Sequence, residues 1–248
     1  KFPHARVHQF IYAGLSHGEA YLRSMQFVPF QSIFVGDPLC RPYAYIPTVG
    51  VTGVPTTPAT APFVITPQAS TVAPGAAIDT LNILIDGVRV GTISPGQSYV
   101  VNTYGLDDGH HELRVMALEN TLIRSVGSWT GTFRVNNVNR NASAGVSPAS
   151  GDRTQLFTFQ LGATQTDAVQ VPLQEIRLVQ NGRIVAAAPA PTPGSGSGSV
   201  TVSVYGHTLG AGESDLRAEA VFADGRKAIS APVSVNISES GAASAAAV

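Results

Sequence analysis

Apolar and polar residues alternate with period two through much of this chain, which is the spacing of a half-buried β-strand. In Leu113-Arg-Val-Met-Ala117, residues Leu113, Val115 and Ala117 share one parity and Arg114 takes the other. In Leu216-Arg-Ala-Glu-Ala-Val-Phe222, residues Leu216, Ala218, Ala220 and Phe222 share one parity and Arg217 takes the other. The apolar sets should face a core and the two arginines should face solvent. The pattern places further strands near 63–66, 81–85, 88–92, 98–102, 112–118 and 129–135, then at Leu156–Leu161 and at Val233–Val235. Asp86-Gly87 and Asn181-Gly182 each stand between apolar runs and predict tight hairpins. Pro95-Gly96 predicts another turn.

These strands belong to a repeat. Leu106 to Ala117 reads L-x-x-G-x-x-(E/D)-L-R-x-x-A, and Leu209 to Ala220 reads the same. Each copy follows a hairpin segment, Ile85-Asp-Gly-Val-Arg-Val90 or Gln180-Asn-Gly-Arg-Ile-Val185, and precedes an alternating strand. A recurrence of this kind marks two copies of one domain. Gly109 and Gly212 occupy the same place in the two copies, just before the strand, where a positive φ suits glycine.

Residues 1–44 differ from the rest. Ser16-His-Gly-Glu19 fits a capping box opening a short helix that carries Ala20, Leu22 and Met25, ends near Gln26 and is closed by Pro29. Ser32-Ile-Phe-Val35 is an apolar run ending at Gly36-Asp37-Pro38, as a buried strand of an α/β sheet does. One helix and one strand cannot complete such a sheet, and the chain opens at Lys1 without an initiator Met. The expectation is therefore the end of a truncated upstream α/β domain. Residues 45–62, with Pro47, Pro55, Pro58 and Pro62, read as a semi-extended linker. Residues 63–137 form a first module, residues 138–237 a second, and residues 238–248 a disordered Ser/Ala/Gly tail. Pro189 to Ser199 reads as a flexible loop within the second module. Short strands separated by turn signals predict a mainly β chain with two tandem immunoglobulin-like β-sandwiches.

Composition narrows the function classes. Charged residues are 12% of the 248 and the formal net charge is −1. The basic residues form no cluster, which argues against nucleic acid and anionic membranes as partners. No apolar run reaches the roughly 18 residues of a membrane span. A lone cysteine, Cys40, rules out an internal disulfide and a cysteine-based zinc site. Abundant Thr, Ser, Gly, Ala and Val suit an exported bacterial protein located at the cell surface or outside the cell.

Several residues tempt a chemical reading. His110 and His111 are adjacent on a strand, so they point to opposite faces and chelate one metal poorly. Asp107-Asp108 could join a calcium site, but the second copy has Gly210-Ala211 in their place. Cys40 with His4, His8 or His17 would be a nucleophilic dyad, yet nothing in the spacing brings them together, and a spectator thiol is the preferred reading. Trp129, Tyr99, Tyr104 and Tyr205 could stack on sugars, though a core or turn role is commoner for single aromatics. Asn141-Ala-Ser143 and Asn236-Ile-Ser238 match a glycosylation sequon that arises often by chance. No residue is assigned to catalysis, to a cofactor or to a metal.

The run Tyr12-Ala-Gly-Leu-Ser-His-Gly-Glu-Ala-Tyr21, continued by Val35-Gly-Asp-Pro-Leu39 and Arg41-Pro42, resembles the C-terminal end of an uncharacterised family of exported bacterial proteins. That domain is distantly similar to the caspase-like fold of gingipain-type cysteine peptidases. The resemblance implies that a catalytic His and Cys would lie upstream, so Cys40 inherits no role. The repeat resembles bacterial immunoglobulin-like modules, which usually act as spacers or interaction surfaces. The expected function is a non-catalytic C-terminal region for spacing, attachment or protein interaction, with a cell-surface protein or polysaccharide as partner. The alternatives are a carbohydrate-binding module and an accessory region of a cysteine peptidase.

Overall fold

A computed structural model describes residues 4–25, 33–121, 123–166 and 169–239. The chain divides into two compact units, one of residues 1–54, 64–100 and 112–131, the other of residues 55–63, 101–111 and 132–248. This division differs from the module boundaries that the repeat suggested.

The first unit begins with helices α1 (Arg6–Tyr12) and α2 (His17–Ser24), which pack on each other. α2 starts at the expected capping box: Glu19 N–H donates to Ser16 Oγ, and Ser16 N–H donates to the Glu19 carboxylate. These bonds hold the Glu19 carboxyl below its ordinary pKa. The buried strand expected at 32–35 is not formed at the described residues, and Ile33 and Val35 are almost fully exposed. The chain after Gly36 instead turns against α2, where His17 and Gly18 donate their N–H groups to the carbonyls of Cys40 and Pro38. Among the described residues no strand pairs with Ile33 to Val35, so the apolar run has no ladder to join, and the helix-start bonds go to the residues after it. Gln26, Phe27, Pro29 and Ser32 lie outside the described residues.

Strands β1 (Thr48–Thr52), β2 (Phe63–Ser70), β3 (Ile78–Ile85), β4 (Val88–Ile93), β5 (Tyr99–Val101), β6 (Asp108–Glu119) and β7 (Val126–Val135) follow. β1 corrects the linker reading: Thr48-Val-Gly-Val-Thr52 alternates like a strand and pairs antiparallel with β2. β3 lies between β4 and β6 in antiparallel register. Asp86 (φ +49) and Gly87 (φ +79) form the expected two-residue hairpin between β3 and β4. Leu113, Val115 and Ala117, which the parity named, are completely inaccessible, and so are Leu81 and Ile83 of β3. Arg114 is half-buried, not fully solvent-facing, because β6 has neighbours on both edges and Glu112 pairs with it at 2.9 Å.

In the second unit, strands β8 (Arg140–Ser147), β9 (Ser150–Asp152), β10 (Leu156–Gln165), β11 (Leu173–Gln180), β12 (Arg183–Pro189) and β13 (Gly198–Tyr205) precede the short helix α3 (Gly206–Leu209). β14 (Gly212–Phe222), β15 (Lys227–Ile229) and β16 (Val233–Ser238) complete it. One sheet runs β13-β10-β8; in the other, β14 pairs with β11, β15 and β16, and β11 also with β12. Phe157, Phe159 and Leu161 of the first sheet meet Ile176, Leu178, Leu216, Ala218, Ala220 and Phe222 of the second in one core. This is a β-sandwich, closed as the alternation required. Asn181 (φ +49) and Gly182 (φ +78) make the second hairpin. The segment read as a flexible loop is ordered: β12 ends and β13 begins within it, and Leu173 N–H donates to the Ser195 carbonyl. Arg217, like Arg114, is half-buried in mid-sheet. Most of the expected disordered tail, residues 240–248, lies outside the described residues.

Candidate functional site: a buried polar joint

A buried polar cluster in the second unit is built where β6 begins. Asp108 is 1% exposed. Its Oδ1 accepts from Asn137 N–H at 2.6 Å, and its Oδ2 from Val138 N–H at 3.0 Å and Arg140 N–H at 2.9 Å. Asn137 returns the contact through Nδ2, which donates to the carbonyls of Thr103 and Leu106. Asp107 Oδ1 accepts from Lys227 N–H at 2.9 Å. Next to it, β15 pairs in parallel with Asp108 and Gly109. A Cβ on Gly109 would stand 2.0 Å from the Ile229 carbonyl oxygen, so only glycine lets these strands meet.

Arg140 completes the cluster. Its side chain is buried, its Nη1 and Nη2 donate to the two Asp224 oxygens at 2.9 and 2.7 Å, and its guanidinium lies 4.4 Å from the Phe222 ring centre. The hydrogen bonds from Arg140 hold the Asp224 carboxyl below the ordinary carboxylate range. A buried guanidinium needs such a bidentate partner to offset its lost hydration.

This geometry bears on Asp108 as a calcium ligand. The Asp108 oxygens point at peptide N–H donors, and a cation at that place would face the positive ends of three amide dipoles. Among the described residues no group of three or more His, Cys, Asp or Glu is placed to hold a metal. His111 is buried against Phe133, with ring centres 5.5 Å apart, and its Nε2 meets the Asp107 carbonyl at 2.8 Å. His110 points the other way and is partly desolvated, which lowers its pKa. The two histidines therefore do not converge. The described contact between Cys40 and His17 is a backbone bond in which the thiol takes no part.

The aromatics nominated as a sugar platform are likewise dispersed. Tyr99 covers Gly91 and donates its hydroxyl to the Val90 carbonyl at 2.8 Å, while Trp129 covers Gly131 two residues along its own strand. Each ring fills the gap a missing Cβ leaves on the sheet. Tyr104 is exposed. Tyr205 stacks on His207 at 5.5 Å. Elsewhere, Tyr12 and Tyr43 lie side by side at 5.3 Å with both rings exposed, a pairing the sequence did not announce. Asn141 and Asn236 are exposed on strands.

No protein-family model matches the sequence, and no curated protein matches it. Solved structures resemble it in architecture alone. The fibronectin(III)-like modules of Clostridium thermocellum CbhA align at 12% identity and TM-score 0.29, covering 77% of this chain and 94% of that one. SGBP-B of the Bacteroides ovatus mixed-linkage glucan utilization locus, solved in complex with a mixed-linkage heptasaccharide, aligns at 17% identity and TM-score 0.36, covering 77% and 47%. The D0-D1 domain of intimin aligns at 10% identity and TM-score 0.32, covering 76% and 97%. None of these likenesses extends to function. A caspase-like domain finds no support among them.

Arg140, Asp224 and Asn137 were not legible as site residues. The one available signal was the difference between the repeat copies, Asp107-Asp108 against Gly210-Ala211.

Proposed function

We propose that this chain is a non-catalytic β-sandwich region of an exported bacterial protein, serving to space or attach other parts of that protein or to contact another protein. The observation that carries this reading is how the chain uses its chemically capable side chains. Asp107, Asp108, His111, Arg140 and Asp224 are each engaged in holding strands and connections together. A group whose lone pairs are filled by peptide donors is a poor acid, base or ligand. The low charge and the Thr, Ser and Gly content support the exported location. Fractionation of the producing bacterium, probed with an antibody to this chain, should recover it at the surface or in the medium; recovery in the cytoplasm alone refutes that part. The reading of residues 1–44 as the end of an upstream caspase-like domain rests on the Val35-Gly-Asp-Pro-Leu39 motif and is supported by the uncovered Ile33, Val35 and Leu39.

Carbohydrate binding is the second reading, favoured by the exposed Tyr12–Tyr43 pair. Aromatic pairs of this kind offer apolar faces with polar tips. Affinity electrophoresis in gels containing soluble polysaccharides separates the two. Spacing predicts unretarded migration. Retardation that Tyr12→Ala or Tyr43→Ala abolishes would establish the sugar reading in its place.

A further inference from the structure

We propose that the connection between β7 and β8, residues 136–139, together with Arg140 at the start of β8, is a locked joint and not a hinge, with Asp108 as its clasp. Its sequence, Asn136-Asn-Val-Asn-Arg140, is polar and falls at the boundary between the two repeat copies, where a flexible linker would be expected. Four of its backbone N–H groups and one carbonyl are instead tied to fixed partners. Asn136 N–H donates to the Ala59 carbonyl, and the Asn137, Val138 and Arg140 N–H groups converge on Asp108. The Asn139 carbonyl accepts from Thr166 N–H. The two ends are held by side chains as well: Asn137 on the carbonyls of Thr103 and Leu106, Arg140 on Asp224.

Pivoting such a segment would strip a buried carboxylate of three donors at once. Buried charge without partners is the costliest state available to it. The joint should therefore open only when the surrounding strands do. The second copy confirms that the clasp is an addition to the fold. Ala211 stands where Asp108 stands, and the strand that follows still forms, with Leu216, Ala218 and Ala220 buried as Leu113, Val115 and Ala117 are. The rigidity of this connection lies within the second unit and does not rest on the spacing function proposed above.

Amide hydrogen exchange on the full chain tests it. The Asn137, Val138 and Arg140 amides should exchange as slowly as those of Phe157, Phe159 and Leu161 in the core of the same unit. In Asp108→Ala they should exchange at least a hundredfold faster while the core amides keep their rates. Wild-type amides at 137, 138 and 140 exchanging a hundredfold faster than the core would make the connection a hinge and overturn the proposal, whether or not the variant folds. Retention of slow exchange in a folded Asp108→Ala would also overturn it, by removing Asp108 from the role. If the joint proves slow but the protein retards on polysaccharide, the spacing function fails and the joint stands.

Discussion

Removing either partner of the Arg140–Asp224 pair should have unequal effects, and the inequality follows from burial. The Arg140 side chain is 2% exposed and the Asp224 side chain 35%. Asp224→Ala leaves the guanidinium buried with no counter-charge, which costs about 3–5 kcal/mol at a fully buried pair. Water reaching the Asp224 side reduces this to roughly 2–3 kcal/mol. Arg140→Met keeps an apolar stem against Phe222, and the released Asp224 can hydrate, so its cost should be about 1 kcal/mol. Urea denaturation followed by circular dichroism gives both values from the midpoint and slope. The pH dependence supplies a second reading. The Asp224 pKa is lowered in the folded state, from an ordinary 3.8, chiefly by the Arg140 hydrogen bonds. The stabilisation is therefore complete above the ordinary value and disappears as pH falls through the lower folded one. The gap between wild type and Asp224→Ala should hold at neutral pH and narrow only below about pH 4. An Arg140→Met cost equal to that of Asp224→Ala, or a gap already closing at pH 6, would refute the reasoning.

Leu113→Ala and Leu216→Ala, at equivalent fully buried positions of the two copies, should each cost about 2–5 kcal/mol in the same assay; a cost below roughly 1 kcal/mol at either would contradict its place in the core. Gly109→Ala should destabilise more than Gly212→Ala. Both glycines have strongly positive φ, but only at Gly109 would the new methyl meet a carbonyl oxygen; equal melting temperatures would show that the close approach does not matter. Ser16→Ala removes the α2 cap and should cost about 1 kcal/mol, read as faster amide exchange in Glu19 and Ala20.

The sandwich was legible because strand parity is a local signal. Leu113, Val115, Ala117 and their counterparts from Leu216 to Phe222 declare a face with no knowledge of their neighbours. The hairpins at Asp86-Gly87 and Asn181-Gly182 were legible for the same reason, since a positive φ at both central residues restricts residue type sharply. The failures share a different cause. Ser32 to Val35 carries a strand's composition, but a strand exists only through partners, and among the described residues none pairs with Ile33 or Val35. Thr48–Thr52 is short and flanked by prolines, so its pairing with β2 depended on a neighbour that the linker composition concealed. The polar joint was the least legible of all. Arg140 and Asp224 lie far apart in sequence, and nothing in the surroundings of Arg140 marks it for burial.

The two copies of the repeat supply the control that single substitutions lack. Asp107→Gly with Asp108→Ala gives the first copy the residues the second copy uses at those positions, so the strand that follows should form as well as it does in β14. What the double variant loses is the joint alone: the Lys227 amide loses its acceptor, and the Asn137, Val138 and Arg140 amides lose theirs. Each bond to a charged acceptor is worth about 1.5–3 kcal/mol, and losses at one carboxylate are not additive. The total should be roughly 3–5 kcal/mol, and it should appear as early fraying of 136–140 with the Leu113–Ala117 strand intact. If the β6 core amides lose protection to the same degree as those of the joint, Asp107 and Asp108 serve the strand itself. The difference between the copies would then be sequence drift within one design, and not the mark of a connection made to be stiff.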